Sequence, residues 1–277
     1  MPAPRGKAAK RTPKKARSKS LLPILLSGCM AIIFAFFWYV SGKSNFTTDQ
    51  VTLCPHDNNR IEEIHAIIID LTNGMSDTER VQILQVINQV KLSLPRFSRL
   101  VITGLWDTPS ILDDPIFDKC NPGTGDGMSS IYENPVLALQ QWQAEFSSQL
   151  DAVLDNFLDS PPSDRSEIML AIRNHAIRLL SDPANSNKRR KLYVISDLMQ
   201  HSPNQYSHYR FSIEPYHQFR QSPYFQSVRA DLRDIDVELF YVRRSKYTSY
   251  QTAAHVLFWT EFLNDNGASV ARVRNIY

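Results

Sequence analysis

IHAIIID (residues 64–70) is the stretch that decides the fold. It is a continuous apolar run that ends in an acid, a pattern typical of strands buried on both faces of a parallel sheet. KLYVISD (residues 191–197) is a second buried strand that ends in an acid, RLVITGLW (99–106) is also apolar, and DIDVELFYV (234–242) is a further predicted strand. The segment ASVARVRNI (268–276) follows a Gly and predicts a strand at the C-terminus.

Amphipathic segments separate these strands. Apolar residues recur at helical spacing over about residues 78–94, 136–158, 164–180 and 250–267. Residues 107–135 hold a Gly-rich stretch and are expected to form a long loop. Strands that alternate with helices predict an α/β fold, a doubly wound and mostly parallel sheet with helices on both faces. Ligands of such sheets bind beyond the carboxyl ends of the strands, where Asp70, Asp107 and Asp197 lie.

The two strand ends IIID and VISD carry a resemblance to a known family. IIID is followed by Leu-Thr-Asn-Gly-Met-Ser, and this pair of motifs resembles a von Willebrand factor type A domain. That family binds Mg²⁺ or Mn²⁺ through an Asp-x-Ser-x-Ser loop, a Thr from a middle loop and a later Asp. The resemblance implies a metal site formed by Asp70, Thr72 and Asp197.

This chain departs from the family pattern at two positions. Gly74 stands where the second Ser of the loop is expected, and Ser76 comes two positions later. The nearest counterparts of the middle-loop Thr are Ser163 and Ser166. Mg²⁺ takes one or two carboxylates and completes its shell with water, so three residues could suffice. The alternative is that both acids only accept hydrogen bonds from loop amides and helix N-termini.

Other motifs of the domain fit known sites less well. GTGDG (residues 123–127) lacks the Lys of a phosphate loop, and a haloacid-dehalogenase motif would need a second Asp at Thr72. His201, His208 and His217 share one loop, but their spacing matches no common metal site.

The loop of residues 201–225 is rich in aromatic residues and arginine. These side chains are enriched in the binding hot spots of protein interfaces. The alternative is that the rings pack the loop onto its own domain. The predicted partner-contact residues are Tyr206, Tyr209, Arg210, Tyr216 and Arg220.

The N-terminal part of the chain differs sharply from the rest in charge. Residues 1–19 carry eight Lys or Arg residues and no acid, whereas beyond Lys43 the acids outnumber Lys and Arg by six. The sequence pI of about 8.7 therefore reflects the tail, and nucleic-acid binding by the folded domain is disfavoured.

Residues 21–40 form a run of twenty residues without a charge. This length predicts a transmembrane helix, and a cleaved signal peptide is the alternative. The expected organisation is a basic cytoplasmic tail (residues 1–20), a transmembrane signal anchor (21–40), a stalk (41–60) and a domain (61–277). By the positive-inside rule, we expect a single-pass membrane protein with its C-terminal domain periplasmic or extracellular.

Two cysteines lie outside the apolar run, Cys54 and Cys120, and predict a disulfide in an oxidising compartment. The functional prediction is a membrane-anchored extracytoplasmic binding or scaffolding module that recognises a protein partner in a cell-envelope complex. Two alternatives stay open: a membrane-tethered metal-dependent hydrolase that uses Asp70 and Asp197, and a receptor for a small ligand.

Overall fold

A computed structural model describes residues 22–44, 47–105, 114–128, 134–159, 161–163, 165–209 and 213–277. The chain divides into two compact units, residues 1–45 and residues 46–277. The predicted Asp107 and Arg210 lie outside the described residues.

The first unit contains helix α1, Leu22–Ser44. Within the described part of the chain, no helix combines the length and the apolar character needed to cross a membrane. This finding corrects the predicted transmembrane helix over residues 21–40 and the single-pass localisation inferred from it.

The second unit is an α/β domain with a mostly parallel sheet. Six strands pair in the order β3-β2-β1-β4-β7-β8, with β3 antiparallel to its neighbour, and β5 and β6 form a separate hairpin. In chain order the strands are β1 (Glu63–Asp70), β2 (Arg99–Leu105), β3 (Phe117–Cys120), β4 (Arg189–Ser196), β5 (His201–Ser202), β6 (Tyr206–Ser207), β7 (Ile235–Val242) and β8 (Ser269–Ile276).

Seven further helices connect these strands in the described part of the domain: α2 (Asp77–Ser93), α3 (Pro135–Gln141), α4 (Ser148–Leu158), α5 (Ile168–His175), α6 (Tyr216–Phe219), α7 (Pro223–Val228) and α8 (Ala253–Asp265). A π-helical turn, Trp142–Ser147, joins α3 to α4, and a second one, Ala176–Leu180, extends α5. The predicted alternation of strands and helices is confirmed, but β3 was expected to be loop. Its short run contains Asp118 and Lys119, which hide the apolar pattern of a strand.

Both faces of the sheet are covered, and the side chains of β1 alternate between two cores. Ala66 and Ile68 pack into a cluster that includes residues of α5 and α8, whereas Ile67 and Ile69 pack into a cluster with residues of α2 and α4. Every residue of β1 is buried. Because each face of β1 packs into an apolar core, residues 66–69 are apolar at every position, which is the pattern that predicted a central strand.

The predicted disulfide is confirmed. Cys54 and Cys120 are bonded, with their Cα atoms 4.7 Å apart. The amide of Cys120 also donates to the carbonyl of Thr52. Leu53, which lies between Thr52 and Cys54 in the sequence, is buried. The segment before β1 is therefore held against the edge strand β3.

The strand order reverses between β1 and β4. The chain proceeds from β1 to β2 on one side of the sheet, and later from β4 to β7 on the other. In open α/β sheets this reversal opens a crevice at the carboxyl ends of the two strands, where ligands bind. Asp70 ends β1 and Asp197 follows β4, so both predicted acids lie at this position.

Candidate functional site

Asp70 is buried at the end of β1, and both of its carboxylate oxygens accept hydrogen bonds. Oδ1 accepts from the amide and the hydroxyl of Thr72, over 3.0 and 2.7 Å. Oδ2 accepts from the hydroxyls of Ser166 and Ser196, over 3.1 and 2.7 Å. A carboxylate offers about four lone-pair positions. Asp70 therefore uses its full accepting capacity to hold together three segments of the chain.

Asp197 follows β4 and is also buried. Its Oδ1 accepts from the amide of Met199 over 3.0 Å. Its Oδ2 accepts from the side-chain amide of Asn73 over 2.9 Å and from Nε of Arg244 over 2.8 Å. Burial and the neighbouring Asp70 raise the pKa of Asp197 to about 7, while Arg244 acts in the opposite direction.

Arg244 comes two residues after β7 and reaches across the strand ends. Besides Asp197, its guanidinium contacts the carboxylate of Glu79 at 3.4 Å. Glu79 is fixed in turn by a capping box at the start of α2, where its side chain accepts from the amide of Ser76 and its own amide donates to the Ser76 hydroxyl. Gln251 accepts from the Arg244 amide over 2.8 Å. Arg244 is thus held from several directions, and its side chain is only 9 % exposed.

Three half-buried tyrosines lie beside the Asp197–Arg244 pair. The hydroxyl of Tyr209 accepts from Asn73 and the hydroxyl of Tyr247 donates to Asn73, both over 2.8 Å. The Tyr209 ring contacts the rings of Tyr247 and Tyr250 edge to face, with centroids 5.2 and 6.4 Å away. We call Tyr209, Tyr247 and Tyr250 the tyrosine cluster. Burial and Asp197 raise the pKa of Tyr209, so its hydroxyl stays protonated.

A buried histidine pair lies beneath this face. Leu198 has a positive φ of 56°, and its carbonyl accepts from Trp259 over 2.9 Å and contacts a ring nitrogen of His255 at 3.1 Å. The rings of His208 and His255 are joined at 3.0 Å, and the Tyr241 hydroxyl contacts His255 at 2.6 Å. Burial lowers the pKa of His255 to about 4 and that of His208 well below its ordinary value.

The cluster matches a hard divalent ion in donor type but not in charge. Two carboxylates and several hydroxyls are the oxygen ligands that Mg²⁺ prefers. However, Asp70 is fully engaged by four donors, and Arg244 already places a positive charge 2.8 Å from Asp197. No group of three or more His, Cys, Asp or Glu side chains is arranged for a metal within the described ranges. The residues present do not fit a resident divalent ion, and the Mg²⁺ or Mn²⁺ prediction awaits a titration.

Ser163 and Ser166, the two candidates for the middle-loop position, make different contacts. Ser166 reaches Asp70, whereas the Ser163 hydroxyl bonds the backbone of Arg165. Asp70, Thr72 and Asp197 are brought together as the resemblance implied, but Gly74 contributes no side chain there.

Only part of the predicted partner-contact loop lies at this face. Tyr209 belongs to it, but Tyr206 and Tyr216 are buried in the core. Tyr206 stacks on Tyr224 and contacts Phe219, and the hydroxyl of Tyr216 donates to Asp265. Both side chains are thus engaged within the domain, and their contact with a partner stays a prediction. Arg220 is exposed but pairs with Asp265, away from the strand carboxyl ends.

Sequence reasoning missed Asn73, Arg244 and Tyr247. Arg244 follows the carboxyl end of β7 closely, as Asp197 follows β4, and this position in the fold is the signal that could have found it. Tyr247 and Tyr250 share that loop. Asn73 lies inside the loop that starts at Asp70 and resembles Asp-x-Ser-x-Ser, at a position where that pattern specifies no residue.

No protein-family model matches the sequence, and no curated protein matches it.

Proposed function

We propose that the domain is a binding module that recognises a protein partner through the carboxyl-end face of its sheet. The observation that carries this proposal is the tyrosine cluster, which Asn73 joins to the buried Asp197–Arg244 pair. Tyrosine supplies a large and amphipathic contact area, and it is among the residues most enriched at binding hot spots.

The tyrosines are held in place before any partner arrives. Two of their hydroxyls bond one amide side chain, and their rings contact one another at edge-to-face distances of 5.2 to 6.5 Å. A side chain that is already ordered loses little conformational entropy on binding. Lys246 is exposed and lies over the Tyr247 ring at 4.6 Å, which adds a charged rim to this face.

The resemblance to von Willebrand factor type A domains supports the same face. Asp70, Thr72, Ser166 and Asp197 converge at the end of β1 and β4, the position at which that family places its metal and its ligand. We propose that Arg244 takes the place of the divalent ion here. It supplies the positive charge that Asp197 and Glu79 require, and it is fixed by the fold.

The hydrolase alternative has less support from the same contacts. A general base or nucleophile needs a carboxylate oxygen that can reach substrate. Both oxygens of Asp70 are engaged by neighbouring donors, and Asp197 is 2 % exposed. The small-ligand alternative stays a prediction without a contact that favours it.

A pull-down that uses the full-length protein as bait in extracts of its native cell tests the proposal. Tyr247→Ala and Tyr250→Ala remove contact area from the tyrosine cluster. Leu257→Ala removes an exposed apolar side chain from α8, away from this cluster, and is the matched control. We expect a protein that is recovered with the wild type and with Leu257→Ala, and that is depleted about tenfold with both tyrosine variants.

Two results would contradict the proposal. One is a set of recovered proteins that is the same for the wild type and both tyrosine variants. The other is turnover of an ester or phosphate substrate that disappears in Asp70→Asn, which would favour the hydrolase.

A further inference from the structure

We propose that a second site, at the amino ends of β7 and β8, binds a carboxylate-rich segment of a protein partner. The site is a groove lined by arginines from three parts of the domain. Arg173 comes from α5, Arg220 from the turn between α6 and α7, and Arg229 and Arg233 from the loop before β7. We call it the amino-end groove. It lies at the opposite end of the strands from Asp70 and the tyrosine cluster.

The groove consists of two adjoining cavities of about 650 and 380 Å³. Gln226, Arg229 and Asp265 line both cavities, so Arg229 stands where they meet. Two adjoining cavities of this volume suit a peptide segment better than a single small ion. Extended segments commonly bind in grooves of this kind through a few anchoring side chains.

The charges in the groove are only partly compensated. Arg220 pairs with Asp265 at 2.9 Å and Arg233 pairs with Asp231 at 2.6 Å. Arg173 and Arg229 make no ion pair with any residue in the described ranges of the chain. A guanidinium offers five donors in a planar fork that matches a carboxylate. Two unpaired guanidinium groups therefore provide anchoring points for two acidic side chains.

The loop that carries Arg229 and Arg233 is held to the end of α8 by hydrogen bonds to Asn266. Asn266 accepts from the amide of Ala230 through its side chain, over 2.6 Å, and from the amide of Leu232 through its carbonyl, over 2.8 Å. Gly267 ends α8 with a φ of +92°, and a Cβ at this position would lie 2.8 Å from Cγ of Arg233. A glycine is thus required both by the backbone and by the close approach of Arg233. The groove is formed before binding.

The local and overall charges favour an acidic protein segment over a nucleic acid. Asp231 and Asp265 lie inside the groove, where they would repel a continuous line of phosphates. Beyond Lys43 the chain carries six more acids than Lys and Arg, which opposes binding of a long polyanion. A short peptide can place its carboxylates on Arg173 and Arg229 and avoid both aspartates.

Fluorescence anisotropy on the full chain tests this site. The probes are a fluorescein-labelled hexaglutamate peptide and a labelled six-nucleotide oligothymidylate, at about 50 mM salt so that screening is modest. Arg173→Glu and Arg229→Glu reverse the unpaired charges. Arg272→Glu makes the same change of charge at an exposed residue of β8 that lies outside the groove, and is the control. Circular dichroism shows whether each variant keeps its fold.

We expect hexaglutamate to bind the wild type and Arg272→Glu with similar affinity. Each arginine variant should weaken it about tenfold, because a charge that faced the peptide has been reversed. Arg229→Lys should retain part of the affinity, since it keeps the charge but loses the fork. Absence of binding to the wild type, an equal loss with Arg272→Glu, or tighter binding of the oligothymidylate would each overturn the proposal.

Discussion

At the carboxyl ends of the strands, Arg244 is buried between Asp197 and Glu79, whereas at the amino ends Arg229 is exposed and has no ion pair within the described part of the chain. The same residue type therefore has two roles in one domain. A buried guanidinium with fixed partners serves the fold, because removing it leaves carboxylates without a counterion. An exposed and unpaired guanidinium contributes little to folding and is available to a partner. The following predictions test this difference.

The largest expected effect is on stability at the carboxyl ends. Arg244→Met keeps much of the side-chain volume but leaves Asp197 and Glu79 uncompensated. Breaking a buried pair in this way costs about 3–5 kcal/mol of unfolding free energy. Urea unfolding measures the change. The matched control is Arg220→Met, which breaks the more exposed pair with Asp265 and should cost about 0–1 kcal/mol. Equal losses in the two variants would remove the distinction between the two ends.

Acid should act on the buried histidines beneath the carboxyl-end face. Burial lowers the pKa of His255 to about 4, whereas an unfolded histidine titrates near 6.5. His175, at the end of α5 and away from this face, is also buried, and its pKa is likewise lowered to about 4. Between these values the unfolded chain binds more protons than the folded one. Stability is therefore present above about pH 6.5 and is lost as the pH falls towards 4. Asp197, with its raised pKa, changes stability in the opposite direction over part of this range.

Thermal unfolding at a series of pH values measures the balance. We expect a net loss of stability towards pH 4, because several histidines with lowered pKa oppose a single aspartate. His255→Gln removes one of these histidines and should make the acid dependence shallower. A melting temperature that rises on acidification would contradict this account.

A smaller effect is expected from Tyr247→Phe. The change removes the hydrogen bond to Asn73 and keeps the ring, so it should cost about 1 kcal/mol. The proposed partner interaction should weaken less than with Tyr247→Ala, because the ring still supplies contact area. Urea unfolding measures the change in stability, and the pull-down described above measures the recovery of the partner. An equal loss of partner with Phe and Ala would assign recognition to the hydroxyl instead.

The smallest effect should come from the amino-end groove. Arg229→Ala removes an exposed side chain without an ion pair to the described residues, so the unfolding free energy should change by less than about 0.5 kcal/mol. A loss comparable to that of Arg244→Met would show that Arg229 supports the fold, and the difference between the two ends would disappear.

The sequence predicted the strands and helices from patterns that are local in the chain. The apolar runs that end at Asp70 and at Asp197 identified the central strands β1 and β4 and the two acids at their carboxyl ends. The edge strand β3 could not be predicted, because Asp118 and Lys119 interrupt its short run and only pairing with β2 makes it a strand. The burial of Tyr206 could not be predicted either, since an aromatic loop residue gives no indication of whether it faces a partner or the core.

Arg244 was missed for a different reason. Its contacts with Glu79 and Asp197 join segments that are far apart in sequence, and a local sequence motif cannot indicate such long-range contacts. The same is true of Arg173 and Arg229, which approach one groove from α5 and from the loop before β7. Sites of this kind depend on the three-dimensional arrangement and need the structure.

The most direct test of the account is a calorimetric titration of the full chain with Mg²⁺ and Mn²⁺. If Arg244 takes the place of a divalent ion beside Asp197, neither ion will produce a saturable heat at millimolar concentration. A saturable heat that disappears in Thr72→Ala would contradict this claim, because it would show that Asp70, Thr72 and Asp197 hold a metal despite the arginine.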